Sequence, residues 1–216
     1  MEERQEQIAV ALKQVGHHYG TRRVFSQVEA AFHAGQVGVI TGTNGSGKST
    51  LFRIIAGLLQ PAVGSVDIIY KGKSLDVIER RTILGMVAPD LTLYRELTAV
   101  ENLQFFAQLE GKALTRHELA EILTEVGLKG RGRDYVGSYS SGMRQRLKYA
   151  FALMFSPPLL LLDEPTANLD VSGIEIVERI IDRQRERVGG GLTLVATNEP
   201  REMDWGEVLV RLEPDQ

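Results

Sequence analysis

Cysteine is absent from the 216 residues, so disulfide bonds and thiolate-ligated metal sites are excluded. The absence is consistent with a reducing cytosol. Long hydrophobic runs are also lacking: Leu159–Leu162 is typical, against the roughly 20 residues needed to cross a bilayer. Any membrane role must therefore come through a partner chain. There is no excess of positive charge, with 25 Lys and Arg against 28 Asp and Glu and a net charge of −3. No global basic field is available for nucleic acid, and none is expected as a partner. Met1–Gln7 is polar and acidic, the opposite of a signal peptide. No internal repeat or low-complexity tract is visible. What remains is an ordinary globular composition, 43% apolar and 25% charged. The length suffices for one domain with a full core, or for a domain with a lobe inserted into it.

The chain is organised around Gly42-Thr43-Asn44-Gly45-Ser46-Gly47-Lys48-Ser49-Thr50. This stretch fits G-x-x-x-x-G-K-[ST], the phosphate-binding P-loop. Val37, Val39 and Ile40 read as a buried strand before it. Leu51, Phe52, Ile54, Ile55, Leu58 and Leu59 recur at helical spacing after it. A strand that turns through glycines into a helix aims free backbone N–H groups at one point, and the helix N-terminus adds partial positive charge there. Lys48 would reach the β- and γ-phosphates, and Ser49 would place its hydroxyl on Mg²⁺.

Upstream, Ile8, Val10, Leu12 and Val15 suggest a half-buried strand, His17–Gly20 a turn, and Val24, Val28, Ala30 and Phe32 a second strand. Tyr19 could stack on an adenine ring or simply pack at a strand end. His17 and His18 read as surface histidines, since nothing is spaced to join them on a metal. Downstream, Gln60–Gly64 breaks the structure, Val66–Tyr70 and Ile83–Val87 read as strands, and Lys71–Lys73 as a turn. From Leu97 the pattern is helical. Thr115 with Glu118 forms a capping box for a helix carrying Leu119, Ile122, Leu123 and Val126. Ser140-Ser141-Gly142 opens another helix, with Met143, Leu147, Ala150, Phe151 and Met154 on its buried side. Leu159–Leu162 is too apolar to face water and reads as a central strand. Ile174, Ile176, Val177, Ile180 and Ile181 mark an amphipathic helix; Leu192–Ala196 and Val208–Leu212 are further strands. The alternation predicts an α/β fold with a mainly parallel sheet. The P-loop, Asp163-Glu164 and Thr197-Asn198 all fall at carboxyl ends of strands, where ligands of such sheets sit.

Hydrolysis of a nucleoside triphosphate needs charge neutralisation, a metal and a positioned water. Asp163 would bind Mg²⁺ directly or through water, and Glu164 would polarise the attacking water. Adjacent carboxylates on extended backbone point in different directions, so each can take one task.

With these residues in view, the chain resembles the ATP-binding subunit of an ABC transporter over essentially its full length. Gly42–Thr50 matches the Walker A motif, Tyr139–Arg146 the signature, Leu159–Glu164 Walker B, and Ala167-Asn168-Leu169-Asp170 the D-loop. The resemblance implies a P-loop NTPase fold in one domain: an ABC-type ATPase core that includes an N-terminal antiparallel β part, roughly 1–89 and 156–216 in all, and an inserted helical lobe, roughly 90–155. It implies a head-to-tail dimer with ATP sandwiched between two copies. Ser140 and Gly142 of one subunit would face the ATP on the P-loop of the other, and Asp170 would cross the interface. Tyr19 falls where the family has its adenine-stacking aromatic. The resemblance also implies a separate transmembrane permease subunit as partner, docking near Leu91–Glu101 with Tyr94, Arg95 and Leu97 as candidates. The location expected is cytoplasmic, peripheral on the inner face of the membrane. With no regulatory domain expected after Leu212, the chain is similar to compact exporter ATPases.

Three positions depart from the family. The signature reads Tyr-Ser-Ser-Gly-Met where Leu-Ser-Gly-Gly-Gln is commonest. Met86–Leu91 lacks the Q-loop glutamine; Asp90 could replace it near Mg²⁺ or be a surface carboxylate. Asn198 stands where the switch histidine is expected, and it can hydrogen-bond a γ-phosphate but carries no proton. Glu164 is retained, so hydrolysis is expected. Two other readings are a nucleic-acid- or ribosome-acting ATPase, which usually carries tandem cassettes or zinc-binding insertions, and an ATP-gated regulatory module with little turnover.

Overall fold

A computed structural model describes residues 8–213. In chain order the elements are β1 (Ile8–Tyr19), β2 (Arg22–His33), β3 (Val37–Thr41), α1 (Lys48–Ile55), β4 (Val63–Tyr70), β5 (Lys73–Ser74), α2 (Val77–Thr82), β6 (Leu84–Val87), α3 (Ala99–Leu109), α4 (Arg116–Glu125), α5 (Ser141–Leu153), β7 (Leu159–Asp163), α6 (Val171–Glu186), β8 (Leu192–Thr197), α7 (Pro200–Met203) and β9 (Val208–Arg211). They form two compact units. The first takes the described residues up to Met86, Pro157–Pro165 and those from Ile181 onward; the second takes Val87–Ser156 and Thr166–Ile180.

The first unit holds two sheets. One is antiparallel, in the order β2-β1-β4-β5. The other has the order β6-β7-β8-β3-β9, and β8 pairs in parallel with both β7 and β3, as β3 does with β9. Every residue of β3, β7 and β8 is buried, which accounts for their mainly apolar character. A single core joins Ile8, Val10 and Phe32 of the antiparallel sheet to Leu51, Phe52 and Ile55 of α1 and to Leu159, Leu161 and Leu194 of the parallel sheet.

Several sequence-based expectations are corrected. His17–Tyr19 is strand, and the turn is confined to Gly20 and Thr21. Register shifts on either side of His17 break the in–out alternation, so Val15, Gly16 and His17 are all buried. His17 is therefore not a surface residue. α1 stops at Ile55, because Gly57 takes a φ of 69°; Leu58 lies beyond it and is exposed. β4 begins at Val63, earlier than the Gln60–Gly64 break suggested. α2 gave no periodic signal, since it buries none of its residues; the Asp76–Glu79 capping box holds it.

In the second unit, Leu103, Ala107, Leu119, Leu123 and Leu147 are buried. α5 buries Gln145 and Tyr149 beside Leu147 and Ala150, whereas Met143, Phe151 and Met154 are half-buried. Asn102 is fully buried and pins the turn before α3: it accepts from Tyr94 N (2.8 Å) and donates to the carbonyls of Tyr94 (2.9 Å) and Thr98 (2.9 Å). Among the described residues, no helix is long and apolar enough to cross a membrane.

Candidate functional site

β3 ends at Thr41 and the chain turns through Gly42–Gly47 into α1. Two glycines are dictated by this turn. A Cβ on Gly42 would lie 2.5 Å from the Leu212 carbonyl, and one on Gly47 would lie 2.5 Å from Val24, with Gly47 also at a φ of 96°. Gly47 caps α1 without a side-chain acceptor, so the first N–H groups of that helix are left to an outside partner. Ser46 is fully buried, and its Oγ has no hydrogen-bond partner. Buried donors of this kind normally find an acceptor. An anion seated on the loop supplies acceptors for the helix N–H groups. Lys48, 6% exposed, donates to the carbonyls of Gly42 (2.8 Å) and Thr43 (3.2 Å). Its ammonium is thus held across the mouth of the loop it belongs to.

An open cleft of about 420 Å³ lies over this loop. Asn44, Gly45, Gly47, Lys48, Ser49 and Thr50 form its floor. Tyr19, half exposed at the end of β1, lines it from the antiparallel sheet, and Glu164 lines it from the end of β7. Tyr19 rests edge-on against the buried His17 ring, 4.8 Å between centroids. Glu164 is exposed, with its own N–H bonded to the Ala196 carbonyl (2.9 Å) and a φ of 50°. That left-handed turn directs the chain away from the sheet just after Asp163, which is 2% exposed. The two carboxylates therefore have different surroundings, one dry and one open to the cleft. Asn198, past the end of β8, donates from Nδ2 to Asn44 Oδ1 (3.3 Å) and so reaches the same loop.

Gly42 and Ser46 are buried parts of the loop and do not line the cleft. Arg22 and Val24 do line it, although the sequence pattern marks Val24 only as a strand residue and Arg22 not at all. They open β2, across the short turn from Tyr19, and only the β1–β2 hairpin register (Tyr19 opposite Arg22) brings them there.

The donors available to a metal are oxygens: the Ser49 hydroxyl in the cleft and the Asp163 carboxylate. No group of three or more His, Asp or Glu side chains gathers among the described residues. A set of few hard oxygen donors suits Mg²⁺, which keeps waters and substrate phosphates as its remaining ligands.

Other expected site residues belong to the second unit. Ser140 caps α5, its Oγ accepting from Met143 N (3.2 Å). Tyr139, just before it, is buried and donates its hydroxyl to the Arg131 carbonyl (2.8 Å); burial pushes its pKa up to about 12. A Cβ on Gly142 would stand 3.2 Å from the Asn168 carbonyl. Asp170 accepts from Gly173 N (2.9 Å) and Ser172 Oγ (3.0 Å) at the start of α6, bonds that lower its pKa. Asp90 is exposed and lies within electrostatic reach of the Lys148 ammonium. Tyr94 is half exposed and packs edge-on against Phe105 (5.3 Å).

Comparison with known proteins bears on this arrangement. Residues 25–167 match the family model described as ABC transporter. The chain is 36% identical over 185 residues to the uncharacterized ABC transporter ATP-binding protein YdbJ of Bacillus subtilis, covering 86% of this chain and 59% of that one. It is 38% identical to the lipoprotein-releasing system ATP-binding protein LolD of Syntrophotalea carbinolica, covering 84% of each. The chain thus spans about three-fifths of the curated relatives first matched. Among solved structures, a dimeric post-hydrolysis state of the ATP-binding cassette MJ0796 bound to ADP and Pi superposes with a TM-score of 0.81 at 26% identity, over 95% of this chain and 94% of that one.

Proposed function

The chain belongs to the ABC transporter family, and from that premise we propose that it is an ATPase subunit that drives a separate transmembrane partner. The observation that carries this reading is the single cleft in which Tyr19, the P-loop with Lys48, and Glu164 meet. An aromatic face, a cradle of N–H groups with an ammonium, and a carboxylate are what a base, a polyphosphate and an attacking water require. Tyr19 stacks on the adenine. Asn44–Thr50 and Lys48 bind the phosphates, while buried Gly42 and Ser46 shape the loop beneath them. Ser49 and Asp163 hold Mg²⁺, which when bound offsets phosphate charge. Glu164 orients water and accepts its proton as the terminal P–O bond breaks, leaving ADP and phosphate. Asn198 steadies the loop through Asn44 and donates to the γ-phosphate. Asp90, in the second unit beside Lys148, takes the surface-carboxylate reading.

Two copies pair head to tail, each placing Ser140 and Gly142 on the ATP held by the other. The N-terminus of α5 brings its partial positive charge to that phosphate. ATP joins the copies and hydrolysis releases them, which supplies motion to the membrane partner docked near Leu91–Glu101. Export is the direction we infer, from the phrase Leu93-Tyr94, Leu97-Thr98 and Glu101-Asn102-Leu103, which resembles the ATPases of small exporters. The place of work is the cytoplasmic face of the membrane. One second reading has an observation in its favour: with Asn198 in place of a titratable histidine, the chain can serve as an ATP-gated clamp with little turnover.

The deciding experiment compares ATP hydrolysis by the purified chain with that of Glu164→Gln, with Mg²⁺, and follows the oligomeric state of both. Turnover in the wild type, its loss in the variant and an ATP-trapped variant dimer support the ATPase reading. Dimerisation of both proteins without turnover in either supports the clamp.

A further inference from the structure

Lys148 lies on α5, the helix capped by Ser140. Its ammonium donates to the carbonyls of Ala88 (3.0 Å) and Pro89 (2.9 Å), in the loop that follows β6. Those carbonyls belong to a tight turn: Leu91 N donates back to Ala88 O (3.2 Å), and Ala88 is 7% exposed. Lys148 is itself half-buried, and the exposed carboxylate of Asp90 counters the cost of that burial. The same helix is fastened at its start. Met143 N bonds Ser140 Oγ, Arg144 N bonds Ser140 O (2.9 Å), and the Arg144 guanidinium bonds the Tyr139 carbonyl. One short rigid helix therefore carries Ser140 at one point and grips the 88–91 turn at another.

We propose that Lys148 is a positioning residue for ATP turnover, tying the 88–91 turn to the helix that presents Ser140, so that the two shift together. This rests on the functional reading above. Chemistry favours lysine for the task. A compact ammonium offers three donors on a flexible stem and can satisfy two adjacent carbonyls at once. An apolar side chain there leaves both carbonyls without that donor. Met86–Leu91 holds no asparagine or glutamine, so the turn has no side-chain amide of its own to donate to these carbonyls. Its position is instead set from α5. Pressure on the segment that begins at Leu91 is then passed to α5 by Lys148, beside the backbone bonds from Val136 N to Leu97 O (2.9 Å) and from Gly137 N to Arg95 O (2.9 Å) that reach the stretch before Ser140.

The test uses the full chain and two variants, Lys148→Met, which keeps the stem, and Lys148→Arg, which keeps charge and donors. Turnover is measured against ATP concentration, together with ADP binding by the monomer and thermal stability. The expected result for Lys148→Met is a kcat about tenfold lower, with KM and ADP affinity within about twofold, since small misplacements of a catalytic group act on the chemical step. Lys148→Arg should recover most of the rate. ATP-driven dimerisation, followed in the Glu164→Gln background, should weaken with Lys148→Met. The proposal is overturned if Lys148→Met turns over like the wild type. It is equally overturned if its loss of rate only parallels loss of folded protein or of ADP binding. Should the wild type dimerise without turnover, the dimerisation arm decides alone. A wild type that does neither removes the functional reading, and this inference with it.

Discussion

Tyr139 stands where the family most often has leucine, and its hydroxyl reaches the Arg131 carbonyl. Tyr139→Phe keeps the ring and deletes that donor, so the expected cost is about 1–2 kcal/mol, for a carbonyl left partly desolvated. Chemical denaturation measures it. The titration has a definite sign. The folded pKa, about 12, lies above the ordinary value of 10.0, so between those values the unfolded chain holds fewer protons. Stability contributed by neutral Tyr139 is complete below pH 10 and is lost as the pH rises toward 12. Tyr139→Phe should flatten that alkaline decline. A second expectation concerns Asn198, which hydrogen-bonds but does not ionise. Turnover should not follow a histidine-like titration between about pH 6 and 7, whereas Asn198→His should introduce one, read from a pH–rate profile. Lys48→Ala removes the ammonium held across Gly42 and Thr43, and nucleotide binding by calorimetry should fall at least about tenfold, the loss of one charge-assisted contact.

At the scale of elements, α3 and α4 begin with the same device. Thr98 and Glu101, and Thr115 and Glu118, form reciprocal capping boxes. Hydrogen bonds from the threonine N–H and hydroxyl hold both glutamates below the ordinary carboxylate range. That stabilisation is present above the unfolded pKa near 4.5 and is lost as the pH falls through the folded value. Thr115→Ala should cost about 1 kcal/mol at neutral pH and reduce the acid sensitivity of helix content seen by circular dichroism. The Thr115 box could be read from sequence because its parts lie three residues apart and precede an apolar repeat. α2 has the same box in Asp76 and Glu79 but buries nothing, so no periodicity called attention to it. His17, His18 and Tyr19 do not alternate, so the sequence pattern ends β1 before them. They are strand only because β2 returns opposite them through shifted register.

For the molecule as a whole, the two units predict where a nucleotide acts first. The cleft lies wholly within the first unit. Binding to the folded chain alone raises stability by about 2.7 kcal/mol at a ligand concentration one hundred times Kd. Saturating Mg-ATP should therefore raise the melting temperature of Glu164→Gln, and Lys48→Ala in that background should abolish the shift. An equal shift in both proteins would place the nucleotide elsewhere.

The sequence by itself determined the phosphate loop, the acidic strand end, the parallel core and the family. Each of these is written in residues close together along the chain, where backbone sterics, helix periodicity and burial act locally. Tertiary structure decided the rest. Arg22 and Val24 join the cleft only through hairpin register. Asn198 finds Asn44 because β8 lies beside β3 and both end at the same edge. Lys148 meets Ala88 and Pro89 across a long separation in sequence. Such pairings carry no local signal: they depend on how strands register and how helices pack, which is fixed only when distant apolar faces are buried together.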